Sequence, residues 1–267
     1  MAKKSSAENS STGMNCLEAY VRELIAGKHK FENVFQSVSR MILEYPDGIE
    51  KVMVNGKTTY DFKVFRNSKK HIIGMYDEVN SLVSFVKDAA ESGSSSEMAF
   101  VLIGEPGNGK TFFVDFLSGL YRGFVSRPEN NRYTFSFTNL GKTGKYGKIT
   151  EIESQTYEDP MILAMNLSDD KGVNQEYLSR LGASAEQVEK FYRNYRSLGS
   201  CSYYILNQLI DLYDGNVDEV LNNHIKIVKV PVSESRGTLT GKYAAKDKIT
   251  SSAVDLLGDE SISRLLH

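Results

Sequence analysis

The residues of this chain best suited to chemistry are Gly104-Glu105-Pro106-Gly107-Asn108-Gly109-Lys110-Thr111, which fit the GxxxxGK[ST] spacing of a phosphate-binding loop. Each residue type has a job at its position. Glycines 104, 107 and 109 tolerate positive φ and close backbone approach, so successive amide N–H groups can converge on phosphate oxygens. Lys110 is spaced to reach β and γ phosphates, and the Thr111 hydroxyl can complete the shell of a Mg²⁺ ion. Phe112 follows in the first turn of an expected helix, whose positive end adds to the attraction. The motif therefore predicts a Mg-nucleotide site, with ATP or GTP as ligand and Thr111 as the metal-side residue.

Such a loop needs a strand before it and a helix after it, and the sequence supplies signals for both. Met98-Ala99-Phe100-Val101-Leu102-Ile103 is an apolar run bounded by Gly104, which predicts a buried parallel strand. A helix is expected from about Lys110 to Tyr121, and a second strand over Arg132–Thr138, where aromatic and polar residues alternate. Strand, loop, helix and strand make a βαβ unit. The expected fold is α/β, with a mostly parallel central sheet flanked by helices. His224–Val232 alternates cleanly and adds a further strand, whereas 141–223 carries no clear strand signal.

Upstream, apolar spacing predicts short helices over Leu17–Ile25 and over Phe31–Leu43. Asn55-Gly56 between Lys51–Val54 and Lys57–Phe62 is a hairpin signal. Val79, Leu82, Val83 and Val86 lie on one helical face, ended by the polar stretch from Glu91 to Ser96. Further helices are expected over Glu186–Tyr195, with Val188, Phe191, Tyr192 and Tyr195 along one side as a core stripe, and over Tyr203–Tyr213. The organisation read from these signals is a flexible Ser-rich tail over 1–14, a small α+β segment over 15–70 and a nucleotide-binding domain over 71–267.

Composition narrows the classes. The 267 residues carry 32 Lys and Arg against 34 Asp and Glu, so no single-sign field is available to neutralise a nucleic-acid backbone. Cys16 and Cys201 stand far apart in no metal-ligand frame and read as reduced, buried thiols. His29, His71, His224 and His267 form no HExxH pair, and no GxSxG elbow occurs. No segment approaches the roughly 20 apolar residues of a membrane helix, and no apolar run follows the first lysines, so a soluble, cytoplasmic protein is expected. Gly141–Lys148 is a basic, glycine-rich loop that reads as a solvated turn.

Among nucleotide-binding classes, a GTPase needs Asn/Thr-Lys-x-Asp, and Ala245-Lys246-Asp247-Lys248 lacks that order. Leu117-Ser118-Gly119 sits inside the expected helix, where it could not face a second nucleotide as an ABC-transporter signature would. The form Gly-x-Pro-Gly-x-Gly-Lys-Thr, preceded by Ile72-Ile73-Gly74, resembles AAA+ ATPases. The resemblance implies that Ile72, Ile73 and Gly74 border adenine; helix-entry packing is the alternative for these three. A narrower resemblance runs from Phe31 to Tyr121 through Met41-Ile42, Tyr60-Asp61-Phe62, Ile73-Gly74-Met75, Val86-Lys87-Asp88-Ala89-Ala90 and the loop itself. Together with Glu158-Asp159-Pro160-Met161-Ile162-Leu163 and the stretch from Gly237 to Lys248, it resembles the amino-terminal AAA domain of PrkA-type serine protein kinases. Glu105-Pro106, Asn108 and Thr111 depart from that family's loop, where Ser is usual in place of Thr.

The resemblance implies Mg-ATP binding in a serine/threonine protein kinase whose kinase-like part lies carboxy-terminal to the AAA domain. The chain is accordingly expected to stop within a larger enzyme, with an unidentified protein substrate. No HRD, DFG or VAIK element occurs. No Walker B carboxylate is assigned: Leu209-Ile210-Asp211 reads as helical, and Val254-Asp255 and Leu256-Leu257-Gly258-Asp259-Glu260 are short. Arg193 and Arg196 read as solvated charges on a helix, or as an arginine finger in a homo-oligomer. The rival readings are a stand-alone AAA+ remodelling or regulatory module, a DNA-associated ATPase, against which the balanced charge counts, and a small-molecule kinase with a lid near 193–196.

Overall fold

Asn55 and Gly56 both take positive φ, 50° and 76°, the pair of left-handed residues that a tight hairpin turn requires. They join β1 (Ile49–Val54) to β2 (Lys57–Phe62) in the register Val54↔Lys57 through Ile49↔Phe62. The computed structural model describes residues 16–46, 48–66, 71–72, 74–233 and 238. The chain divides into two compact units, Met1–Val230 and Pro231–His267. In the second, the described structure is a single antiparallel bridge between Ser233 and Thr238. The expected tail over 1–14, the Walker B candidates at 254–260 and the Lys246-Asp247-Lys248 stretch lie outside the described residues.

In the first unit the helices α1 (Leu17–Ile25) and α2 (Val34–Leu43) precede the hairpin, and α3 (Tyr76–Ala90) and α4 (Lys110–Val125) follow it. Asn33 caps α2 reciprocally with Gln36: Asn33 Oδ1 accepts from the Gln36 amide at 2.8 Å, and Gln36 Oε1 from the Asn33 amide at 3.0 Å. Next come β3 (Tyr133–Phe137), the two-residue β4 (Ile152–Glu153), and helices α5 (Pro160–Ala164), α6 (Lys171–Arg180), α7 (Ala185–Tyr192), α8 (Ser200–Leu212) and α9 (Val217–His224). The last strand is β5 (Ile225–Lys229). Asp159, Asp170, Ser184 and Asn216 cap α5, α6, α7 and α9 with their side chains.

The sheets differ from the sequence-based expectation. β3 lies between β4 and β5 and is antiparallel to both, with Ser136↔Glu153 on one side and Tyr133↔Lys229 through Phe137↔Ile225 on the other. Among the described residues the sheets, of two and three strands, are both antiparallel, and no parallel central sheet forms, which overturns the expected α/β fold of a P-loop NTPase. β5 pairs along the whole of one edge of β3 and β4 takes Ser136 and Phe137 of the other, and Met98–Ile103 joins neither. That run pairs with neither sheet and is largely exposed, Val101 by 69% and Ile103 by 92%. Phe100 and Leu102 are half-buried, the Phe100 ring 5.4 Å from that of Phe85. Apolar composition marks a segment as able to be buried; it does not supply the partner strand.

The core gathers on the three-stranded sheet. Phe135 and Phe137 of β3 are fully buried with Leu17, Tyr20 and Val21 of α1, Met161 and Leu163 of α5, Leu178 of α6 and Leu206 and Leu209 of α8. Tyr20 donates to Asp159 Oδ1 at 2.9 Å, and the same oxygen accepts from the Met161 amide at 2.9 Å. Desolvation pushes the Asp159 carboxyl above the usual carboxylate range, against the opposing pull of the Met161 amide, Arg132 and Tyr20. A carboxyl so raised keeps its proton in the native state after the unfolded chain has lost it, so stability falls as pH rises from about 4 through the native pKa. Asp159→Asn keeps an oxygen for both donors and is expected to remove that slope. Its urea midpoint should gain on the unsubstituted protein between pH 4 and 7, and parallel pH profiles would contradict this account.

A second polar cluster ties α2 to α4 and β3. Arg40 forks onto Glu32, Nε to Oε2 at 3.1 Å and Nη2 to Oε1 at 2.7 Å, and gives Nη1 to Asn130 Oδ1 at 2.8 Å. Asn130 Nδ2 then donates to the Phe124 carbonyl at 3.1 Å, while Arg132 donates to the Glu32 carbonyl at 2.7 Å. Both side chains of the ion pair are nearly buried, at 13% and 11% exposure. Removing the cation leaves Glu32 with Arg132 at 3.8 Å. Arg40→Ala is therefore expected to cost about 3 kcal/mol in urea unfolding, at the lower end for a broken buried pair.

Candidate functional site

The loop from Gly104 to Thr111 lies at the surface, directly before α4. Gly107 and Gly109 take φ of 89° and 74°, and a Cβ on either would meet no atom within 4 Å. The requirement for glycine there is the left-handed backbone itself. Lys110 turns back over the loop, and its Nζ donates to the Gly104 and Glu105 carbonyls, each at 2.6 Å. Asn108 closes the turn with a long bond from its amide to the Glu105 carbonyl, 3.4 Å.

The α4 ladder starts with the Phe113 amide on the Gly109 carbonyl at 2.8 Å. The amides of Lys110, Thr111 and Phe112 have no acceptor among the described residues, the ordinary condition of a helix start that has no side-chain cap. Three unpaired donors, the positive end of a sixteen-residue helix and an ammonium group thus converge on one exposed turn. Thr111 is exposed beside them, and Phe112 is 42% exposed with its ring stacked at 6.0 Å on Phe116. Glu105, Pro106 and Asn108 are exposed as well.

What holds the turn in place is α4. Phe113 stacks on Phe65 at 6.3 Å with the rings 7° from parallel, and Phe116 packs on the same ring at 6.4 Å. Tyr121 donates to the Ser37 hydroxyl at 3.4 Å, and the Arg40 guanidinium lies over the Phe124 ring at 4.7 Å. Phe65 also links the loop to Ile72, whose amide donates to the Phe65 carbonyl at 3.0 Å. Ile72 is buried, Gly74 is exposed with φ 79°, and Ile73 lies outside the described residues. The cavity that Ile72 and Gly74 share with Phe62 and Phe65 measures about 20 Å³, room for a water and not for a base. In this conformation Ile72 packs the approach to α3.

Fit to the expected ligands follows from the donor set. A phosphate chain matches three amides and an ammonium group. Magnesium would take the Thr111 hydroxyl as a protein ligand together with phosphate oxygens. Among the described residues no three His, Cys, Asp or Glu side chains cluster as a metal site of their own. Leu209-Ile210-Asp211 is helical, within α8, as expected.

The remaining candidates have structural partners. His29 contacts Glu23 at 3.0 Å and packs edge-on against Tyr133, and His224 is buried between the Thr138 carbonyl and the Tyr213 hydroxyl. Arg193 pairs at 3.8 Å with Glu189 on an exposed surface, and Arg196 lies beyond the end of α7 rather than on it. Cys16 is exposed, which corrects the expectation of two buried thiols; Cys201 is half-buried and both are free. No helix among the described residues is long and apolar enough to cross a membrane.

Compared with models of known protein families, with curated proteins and with solved structures, the chain matches none. The likeness to AAA+ ATPases and to PrkA-type kinases therefore rests on the motif residues themselves.

Sequence reasoning did not single out Phe65, the ring that carries the loop helix, because a lone aromatic after a hairpin gives no signal of its partner. Gly109→Ala tests the backbone argument. It is expected to lower the urea-unfolding free energy by about 1–2 kcal/mol, the cost of a left-handed non-glycine residue, whereas Gly119→Ala, with open space inside α4, should stabilise by up to about 1 kcal/mol.

Proposed function

We propose that the protein binds Mg-ATP through Gly104–Thr111 and serves a serine/threonine protein kinase of the PrkA type, passing or coupling ATP phosphate to a protein substrate. The observation that carries the binding half is the unpaired amide triplet of Lys110, Thr111 and Phe112 beneath a lysine that holds only backbone carbonyls. The kinase half is supported by the resemblance from Phe31 to Tyr121 and in Glu158–Leu163.

Each residue has a defined task in this reading. Lys110 exchanges the Gly104 and Glu105 carbonyls for phosphate oxygens of greater charge, a trade that favours the ligand because charge-assisted bonds are the stronger ones. The three amides hold the phosphate chain in a fixed orientation without moving, since their positions are set by α4. Magnesium bound at Thr111 would neutralise phosphate charge. The fold is no part of the proposal: the site needs an anchored helix start, and the Phe65, Ser37 and Arg40 contacts supply the anchors.

Isothermal titration of the full chain with Mg-ATP tests the reading. Lys110→Ala is expected to weaken binding by about 100-fold, near 3 kcal/mol for a lost charged hydrogen-bonding group, with an unchanged far-UV circular dichroism spectrum. Thr111→Ala should narrow the difference in affinity measured with and without Mg²⁺. Micromolar affinity retained by Lys110→Ala would overturn the assignment.

A further inference from the structure

Three tyrosines that lie apart in the sequence meet around a cavity of about 300 Å³ formed by α6, the end of α7 and the start of α8. Tyr192 and Tyr195 stack, with ring centroids 5.6 Å apart and planes 14° from parallel. The Tyr195 hydroxyl donates to Asn166 Oδ1 at 3.0 Å, and Asn166 is itself held by two bonds from Nδ2, to the Ile162 and Arg196 carbonyls. Tyr203 reaches the same cavity from α8, and its hydroxyl donates to Asp169 Oδ1 at 3.2 Å. Two hydroxyls are thus tied down while the rings stay open, Tyr195 at 45% and Tyr203 at 42% exposure.

One carboxylate, Asp169, and one ammonium group, Lys171, line this site. Asp169 has no cationic partner within ion-pair distance among the described residues; its one contact is the Tyr203 hydroxyl. Lys171, two residues on, lies instead over the Tyr192 ring at 4.7 Å. That contact shows a tyrosine face of this cavity accepting an ammonium group. The Tyr192 hydroxyl is buried without a partner in the same wall.

We propose that this cavity binds an arginine side chain presented by a partner polypeptide, its guanidinium on the tyrosine rings and bonded to Asp169. Three observations select that occupant. A carboxylate without a cationic partner beside aromatic faces is complementary to a cation, and a planar guanidinium can stack on a ring and fork onto a carboxylate at once, which an ammonium group cannot. A cavity of this volume admits one long side chain and is at the low end for a small-molecule ligand. Rings fixed by Asn166 and Asp169 lose little freedom on binding, and exposed tyrosine is enriched where proteins meet. The proposal is independent of the nucleotide site, which lies on α4.

The test is nuclear magnetic resonance of the full chain carrying ¹³C-labelled tyrosine, titrated with N-acetyl-Gly-Arg-Gly-amide and with the same peptide bearing neutral citrulline. The arginine peptide is expected to shift a few ring signals and to saturate at millimolar concentration, with the citrulline peptide at least about 10-fold weaker. Asp169→Asn retains an oxygen for Tyr203, so the wall should persist while affinity for the arginine peptide falls by about 10-fold. Lys171→Met removes the nearby like charge and should tighten binding by a few-fold. Lys110→Ala should leave this titration unchanged, so that loss of the nucleotide site and loss of this one are separable. Equal binding of the arginine and citrulline peptides, or undiminished binding by Asp169→Asn, overturns the proposal.

Discussion

Arg40 reaches three parts of the chain with one guanidinium: Glu32 before α2, Asn130 after α4 and, through its face, the Phe124 ring within α4. Because Asn130 passes the contact on to the Phe124 carbonyl, the carboxy-terminal end of α4 is held by a chain of bonds rather than by packing alone. The other end of the same helix carries the glycine-rich turn. A sixteen-residue helix spans about 24 Å, so one end can be fixed without the other being covered. The Phe65 stack adds a second fixed point near the turn, and between them the loop amides keep their direction while the loop itself stays at the surface.

The elements visible in the sequence are those whose signals are local. Asn55-Gly56 sets its hairpin, α1 matches the spacing of Leu17, Tyr20, Val21 and Leu24, and β3 and β5 lie within the alternating stretches that mark them. Loop and helix around Lys110 also stand where the motif puts them. Strand partners are another matter. Met98–Ile103 and Tyr133–Phe137 both read as strands, but which strand meets which depends on contacts across about ninety residues, from Phe137 to Ile225. Nothing in either segment encodes that choice. The two residues of β4 are too few for any periodic pattern, and α5 is legible only in retrospect, from Asp159-Pro160 as cap and first residue.

The same distinction separates the two sites. A phosphate loop is contiguous, so its eight residues announce themselves. The tyrosine cavity draws on Asn166, Asp169, Lys171, Tyr192, Tyr195 and Tyr203, and becomes a site only when α6, α7 and α8 bring them together. The stripe Val188, Phe191, Tyr192 and Tyr195 reads as one continuous core face, yet Val188 and Phe191 are buried while Tyr195 emerges past the last turn of α7. A helix end rotates and releases residues that a longer helix would have kept on the inner side.

The exposed run from Met98 to Ile103 bears on how chains of this protein behave toward one another. Six uncharged apolar residues in a row, paired with neither sheet, have the composition from which intermolecular strand pairing grows. Their nearest charges are Glu97 on one side and Glu105 on the other, both exposed. Stacking the run against a copy of itself would bring these like charges together at both ends of a parallel pair, which disfavours that pairing. Glu105, whose position the phosphate motif leaves free, thereby sets a like charge against self-pairing of the apolar run that precedes the loop.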